Sequence, residues 1–533
     1  MYMKRLGLVL VMLLAASMIF AAGANQSAGS SAAASRPAGM TASGYPIVTD
    51  GSVTLRYWTV LNAAASKFIQ SYDENPAYKE MEKRTGIKIQ WIHPAAGMDR
   101  EQFNLLMASG DLPDIIACTD YYKGGEFQGL YDGFFLDLTN LIPQWAPEYM
   151  NLIRSDEEFF REISDDSGKI CAFYAYKPYG DPPFTRVILR KDVLADVGKD
   201  IPRLISDYDD LFAAMQAKGI VPFLPPSNGL IKMFVGAYGV IPGLYKDANG
   251  KVQYGQVQPE FRQYLEKMNS WYSKGYISRD FTSVDVNQGN TLFDTKKVGM
   301  QIGPIVANFN RGATLGIDVT SAPYPRLKLG DQLHHEDTNI WPLQGKGVMM
   351  ASLSAKTKNQ EAAIRWLNYA YTPDGEQLMN WGVEGLNYNV VNGKNVYNDL
   401  MLHNPKFGTE EASYIYKMHF APKVSFLDTV AHANLLVSPA SLASHFLWAD
   451  DPNVDSSLNL PPYQLNTSEQ SLRTKVLTEI QTYVDEMTLK FITGAEPLAN
   501  WNSYVQTVNN MGLPDLIKSE QTAYDRYLTK KLK

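Results

Sequence analysis

Cysteine is nearly missing from this chain: Cys118 and Cys171 are the only two in 533 residues. Two thiols cannot staple a disulfide scaffold or supply the four thiolates of an all-cysteine zinc site, so stability must come from hydrophobic cores. The count leaves a single bridge open; the plainer expectation is two free, buried thiols. Basic tracts are lacking too. Lysine and arginine number 49 against 56 acids, a net charge of −7 with no run of five basic residues, which excludes an electrostatic grip on nucleic acid. The phosphate-cradling G-x-x-x-x-G-K-[ST] loop, the H-E-x-x-H zinc helix and the G-x-S-x-G nucleophile elbow are all absent. Gly345-Lys346-Gly347 comes nearest to the first and lacks its hydroxyl residue. Beyond the N-terminus no segment is apolar enough to span a bilayer.

What is present is ordinary globular material with a surplus of rings. Hydrophobic residues make up 45% and charged residues 20%, enough for large cores, and the length predicts more than one folding unit. Aromatic residues reach 12%, which points to a surface that stacks against something. At the start, Lys4 and Arg5 precede an apolar run over residues 6–20 and the small residues Ala21-Ala22-Gly23-Ala24, the pattern of a secretory signal over residues 1–24. No cysteine stands between that run and Cys118, so lipid anchoring is not expected, nor is stable membrane insertion of the mature chain. Residues 25–44 are mostly Ser, Ala and Gly and predict a flexible leader.

From residue 45 strands and helices alternate. Residues 52–57 (SVTLRY), 87–92 (IKIQWI) and 114–119 (DIIACT) read as strands, with helices over 76–84 and 100–109 between them. Strand–helix repetition of this kind gives right-handed crossovers and a parallel sheet, hence an α/β lobe. A second set follows: a strand at 185–189, a helix at 207–216, a hairpin over 245–254 turning at Asn249-Gly250, a helix at 261–273 and a strand at 297–303. Helices then occupy 360–371, a new start at Thr372-Pro373-Asp374, and two C-terminal stripes closed by Gly494 and Gly512.

Polar clusters carry little chemistry by themselves. His334-His335 reads as a polar loop, since adjacent side chains rarely converge on one ion. The acidic stretch 156–166 (DEEFFREISDD) reads as a solvated helix face. Asp450, Asp451 and Asp455 do not follow EF-hand spacing. No metal and no cofactor is expected.

Several segments stand in a fixed order: LLMASGDLPDII (105–116), GKICAFY (168–174), LRKDVLADVG (189–198), LEKMNSWYSKGYISRDF (265–281), FDTKKVGMQIG (293–303), WGVEGLNY (381–388), then 491–512 and Ala523-Tyr524-Asp525-Arg526. This series resembles the extracellular solute-binding proteins of family 1 that serve ATP-driven carbohydrate importers, in the large oligosaccharide- and uronate-binding subgroup. The resemblance implies an α/β protein of the two-lobed periplasmic-binding-protein fold (type II), with a helix-flanked sheet in each lobe and a ligand cleft between. Lobe one would take 45–175 plus 325–388, and lobe two 180–320 plus 392–533. Two features depart from the family: the lipobox cysteine is missing, and 215–224 (MQAKGIVPFL) stands where some members carry a calcium loop.

Open parallel sheets place ligands outside the carboxyl ends of their strands. That rule selects Trp58, Asn62, Asp120, Tyr121 and Tyr122 after the first and third strands, and Asn308 after the strand at 297–303. Tyr174, Tyr176 and Arg186 would flank the first crossover; Trp341, Glu384 and Tyr388 would stand near the later ones. Flat rings suit the C–H faces of a pyranose, and carboxylates, amides and guanidinium suit its hydroxyls. The function implied is capture of an oligosaccharide by hinge closure and delivery to the permease of an ABC-type importer, by an exported, monomeric protein that is not an enzyme. Two alternatives share the chemistry of the cleft: a secreted glycosidase or lyase, and a sugar sensor for a signalling receptor.

Overall fold

The computed structural model describes residues 36, 39–63, 65–177, 185–335, 349–417, 424–425, 440–441, 443–444 and 451–532. The expected signal segment, most of the leader and Trp341 lie outside these. Two main sheets are built from nine strands among the described residues: β1 (Thr54–Trp58), β2 (Lys88–Ile92), β3 (Ile115–Ala117), β4 (Phe173–Tyr174), β5 (Thr185–Arg190), β6 (Val221–Leu224), β7 (Val298–Pro304), β8 (Val319–Ser321) and β9 (Met350–Leu353). Their orders are β2-β1-β3-β9-β4 and β8-β5-β7-β6.

In the first sheet β1 runs parallel to β2 and β3, with Thr54 beside Lys88 and Tyr57 beside Ile115. The connecting helices are α1 (Pro76–Thr85) and α2 (Asp99–Ser109). Asn75 caps α1 by accepting the Ala77 N–H, and Pro76 occupies the first turn, where no N–H is needed. At the end of α2, Gly110 takes the left-handed φ of 67° that a side chain would resist, and the chain turns into β3. Between β4 and its neighbours, β9 enters antiparallel. The second sheet is mixed: β5 is antiparallel to β7 and β8, and β6 is parallel to β7.

Each sheet owns a hydrophobic core. The first gathers Leu55, Trp58, Phe103, Ile116, Tyr149 and Phe173 with Leu353, Ile364 and Trp366. The second gathers Leu189, Phe212, Phe223, Trp271 and Met300 with Ile480, Phe491 and Tyr504 from the C-terminal helices. Trp271 sits at its middle, 5.0 Å from the Phe212 ring and 5.6 Å from Phe234, and its indole N–H donates to Asp209 at 2.5 Å. These separate clusters are the two lobes of a type II fold.

Each core draws on residues distant in the chain. Tyr324 and Leu333 pack in the second core. Phe407, Tyr414 and Tyr416 pack on the first core, and the Asn75 amide donates to the Tyr414 and Lys417 carbonyls at 3.3 and 2.9 Å.

Local readings change as well. The end of the leader is fastened, because the Arg365 guanidinium donates to the Thr41 and Gly44 carbonyls at 2.6 and 2.7 Å. His334 is a strand residue paired beside Asp455, not part of a loop, and its ring contacts that carboxylate at 2.6 Å. Asp451 is taken by Arg326 at 2.5 Å. In the acidic stretch, helix α3 (Glu157–Ile163) turns Phe159, Phe160 and Ile163 into the first core and buries Glu162. Its far end meets α4 (Leu513–Leu528) of the other lobe, where Asp166 pairs with Arg526. Cys118 and Cys171 are both buried and are not joined in a disulfide. Among the described residues no helix is long and apolar enough to cross a membrane.

Phe103 is fully buried between Trp58 (5.6 Å) and Tyr121 (5.8 Å). Phe103→Ala is expected to destabilise the protein by about 3–5 kcal/mol through lost burial and a residual cavity. Chemical denaturation monitored by tryptophan fluorescence measures it, and a loss below about 1 kcal/mol would show that the first core does not depend on this contact.

Candidate functional site

Strand polarity locates the site. The carboxyl ends of β1, β2, β3 and β4 share one edge of the first sheet, and β9 begins there because it runs antiparallel to β3 and β4. In the second sheet β5 begins at the edge where β6, β7 and β8 end, with Thr185 beside Pro304 and Ser321 beside Ile188. The chain passes from β4 to β5, and later from the segment after β8 to β9. Both passages join these two edges, so the edges face one another across the interlobe gap.

On the first edge the strands deliver polar and aromatic groups. Asn62 is half-buried; its side-chain oxygen accepts the Ala65 N–H at 3.2 Å. Asp120, Tyr121 and Tyr122 follow β3 and are all half-buried. The Tyr121 hydroxyl donates to Asp99 at 2.7 Å, and the Arg100 guanidinium lies 4.3 Å above its ring. Tyr122 donates to Asp132 at 2.7 Å and leans on Phe134. Burial, then the carboxylate accepting from it, push the Tyr122 phenol up to about 12, so it remains a donor across the physiological range. Tyr176 stands where the chain departs, its hydroxyl donating to Asp156 at 3.0 Å.

On the second edge Arg186 opens β5. Its guanidinium donates to the Tyr324 hydroxyl at 2.7 Å and lies 4.9 Å from the centre of that ring. Tyr324 also packs on His335, with ring centroids 3.7 Å apart. His335 Nε2 is buried without a hydrogen-bond partner among the described residues. Burial first, then the neighbouring Arg186 and Arg326 charges, hold this imidazole well below its ordinary pKa.

Six of the expected contacts are buried: Tyr176 and Arg186, at 8% and 9% exposure on the edges themselves, and four in the lobe interiors. Trp58 is 3% exposed because β1 ends with its side chain turned onto Phe103. Tyr174 is buried, its hydroxyl donating to Glu126 at 3.1 Å. Asn308 is buried in a network with Gln301 and Arg311, each donating to its oxygen at 2.8 Å. Tyr388 packs on Trp381 in a satellite cluster of lobe one, while Glu384 beside it is exposed. Trp341 lies outside the described residues.

Two residues were missed. His93 directly follows β2, so the rule that selected Tyr121 selects it too; its Nδ1 is 2.8 Å from the Thr59 carbonyl. Phe68 is 43% exposed and held edge-on by Phe407 at 4.7 Å. It stands ten residues past β1, and no local periodicity announces it. Among the described residues no three His, Cys, Asp or Glu side chains gather as a metal cluster.

The profile of the bacterial extracellular solute-binding proteins matches residues 60–377. The chain belongs to that family. It is a family of binding proteins and not of enzymes. Curated relatives include the polygalacturonan/rhamnogalacturonan-binding protein YtcQ of Bacillus subtilis, 22% identical over 89% of this chain and 92% of that one. The fructooligosaccharide ABC transporter substrate-binding protein FusA of Streptococcus pneumoniae is 21% identical over 90% and 91%. Among solved structures, the alginate-binding protein AlgQ2 without calcium ion superposes with a TM-score of 0.65 and 23% identity, covering 90% of this chain and 99% of that one.

Burial also lowers the pKa of His93. With two imidazoles depressed in the folded state, the unfolded chain takes up protons first as pH falls below about 6.5, and stability is lost through that range. The thermal midpoint is expected to drop between about pH 7 and about pH 5, with a shallower slope in the His93→Gln/His335→Gln variant. An identical slope in the variant would contradict the assignment.

Proposed function

We propose that this protein is exported and captures an oligosaccharide between its lobes by hinge closure, releasing it unchanged to the permease of an ABC-type importer. The carrying observation is the pair of facing carboxyl edges, in a family of solute-binding proteins whose matched members here, YtcQ and FusA, are named for glycan ligands over nine-tenths of this chain's length. The open faces of Phe68, Tyr121 and Tyr122 offer flat apolar surface, and Asn62, Asp120 and Arg186 offer hydrogen bonds to hydroxyl or carboxylate groups. Ring stacking contributes about 0.5–1.5 kcal/mol per ring beyond area burial, and charge-assisted hydrogen bonds about twice a neutral one. Three stacks with several such bonds reach the ~8 kcal/mol of a micromolar complex. The basic N-terminus, apolar run and small residues at 21–24 support export through a cleaved signal, and the protein acts as a monomer.

A thermal-shift screen over neutral and uronate oligosaccharides identifies the ligand, since binding to the folded state raises the midpoint by mass action. With that ligand, Phe68→Ala and Tyr121→Ala are each expected to weaken binding about tenfold, about 1.4 kcal/mol, by titration calorimetry. Trp58→Ala should act chiefly on stability, because its side chain faces the core. Unchanged affinity in both edge variants would remove these rings from the site. New reducing ends or unsaturated products after incubation would identify an enzyme instead.

A further inference from the structure

The segment between β1 and α1 presents two groups of the candidate site, Asn62 and Phe68. Its described residues form only short helical turns, at Ala65–Lys67 and Tyr72–Glu74, so something outside it must hold it in place. His93, which follows β2, reaches both of its ends. The ring Nδ1 lies 2.8 Å from the Thr59 carbonyl oxygen, just past β1, and Nε2 accepts the Tyr72 N–H at 3.4 Å. Tyr72 then fastens the interior of the segment: its hydroxyl accepts the Asn62 N–H at 3.1 Å and donates to the Val60 carbonyl at 3.4 Å. The Tyr72 ring meets the imidazole edge-on at 5.1 Å, and Trp91 lies nearly parallel to it at 6.2 Å.

These partners fix the protonation of the ring. A carbonyl oxygen can only accept, so Nδ1 must carry a hydrogen; a backbone N–H can only donate, so Nε2 must offer its lone pair. Neutral imidazole with its hydrogen on Nδ1 is the single form that makes both bonds. The other neutral tautomer loses both. The imidazolium keeps the bond to Thr59 and loses the one to Tyr72, because two N–H groups then oppose each other. Burial favours the neutral ring and outweighs the Thr59 carbonyl and the Asp73 carboxylate, the charged group that acts on it.

We infer that His93 is a positioning residue of the glycan site: as its neutral Nδ1–H tautomer it ties residue 59 to residue 72 and so fixes the segment that presents Asn62 and Phe68. It acts through those two residues rather than on the glycan. Protonation at Nε2 unties the Tyr72 end and lets the segment move, so capture weakens with acidity, while Tyr121 and Tyr122 on the loop after β3 keep their places. The inference rests on the glycan-site reading above, but the tie itself is measured without ligand. If no oligosaccharide binds, the capture reading fails and the tie is still decided.

The test compares the state of the ring with the motion of the segment in the ligand-free full chain. With 15N-labelled histidine, the His93 signals, assigned by their loss in His93→Phe, should show a protonated Nδ1 and a bare Nε2. A nitroxide at Lys67→Cys reports the segment and one at Lys123→Cys the loop after β3; both positions are exposed, while Cys118 and Cys171 are fully buried and escape labelling. His93→Phe keeps a ring between Tyr72 and Trp91 but makes neither bond. It is expected to raise the mobile fraction at residue 67 about threefold at every pH and to leave residue 123 unchanged. In the parent the same rise should follow the midpoint of the ring's own titration. His93→Gln, whose amide has a donor and an acceptor and does not titrate, should restore the segment and abolish the pH dependence. Titrated with whichever neutral or uronate oligosaccharide raises the midpoint in the screen, His93→Phe should bind about tenfold more weakly. The opposite tautomer, an unmoved label at residue 67 in His93→Phe, or undiminished affinity once the segment moves overturns the inference. Should His93→Phe fail to fold, His93→Gln supplies the assignment, and the tautomer and the parent's pH profile decide.

Discussion

Strand direction is the constraint on which the rest of this molecule depends. Every parallel strand of the first sheet ends at one edge, and the chain must depart from that edge and return to it. The second sheet receives it in the same way, through the start of β5 and the ends of β6, β7 and β8. Two sheets joined through their facing edges cannot merge their cores, because the ground between them is occupied by strand ends whose backbone groups need water or a ligand. The gap and its chemistry follow from that geometry before any particular side chain is considered.

The aromatic surplus is accounted for differently from what composition implies. Most of the rings are spent inside. Tyr149, Phe173 and Tyr371 form one knot in the first lobe, and Phe212, Phe234 and Trp271 another in the second. Buried tyrosines there use their hydroxyls as internal fasteners: Tyr371 donates to the Tyr174 carbonyl at 2.5 Å, and Tyr149 receives the Tyr174 N–H at 3.2 Å. Fewer rings keep some exposure; among those that follow β1 and β3 are Phe68, Tyr121 and Tyr122. A high aromatic content is therefore evidence of large cores first and of a stacking surface second.

The alternation of strands and helices was legible because it is a local property. Residues 87–92 and 100–109 carry their own periodicity, and Asn75-Pro76 and Gly110 mark helix ends by backbone chemistry alone. Lobe boundaries were less legible, since they depend on distant partners: Phe407 goes to lobe one because Phe68 is there, and residues 333–334 stay with lobe two because Val454 and Asp455 pair with them. Site residues fall between these cases. Strand polarity picks the loop, yet which way a side chain turns is decided by its neighbours, and Phe103 draws Trp58 inward while Asp99 holds Tyr121 at the edge. His335 shows the same limit, its burial being set by Tyr324 and Arg186 rather than by its neighbours in sequence.

Capture and release by such a protein depend on the gap between the lobes and on what fills it. The account makes a global claim, that a saccharide draws the lobes together and leaves intact. Small-angle X-ray scattering of the protein alone and saturated with its oligosaccharide tests this most directly, with the sugar recovered afterwards and its chain length compared. The account predicts a smaller radius of gyration in the complex and an unaltered glycan. The same radius at saturation, or a shortened glycan, would contradict it.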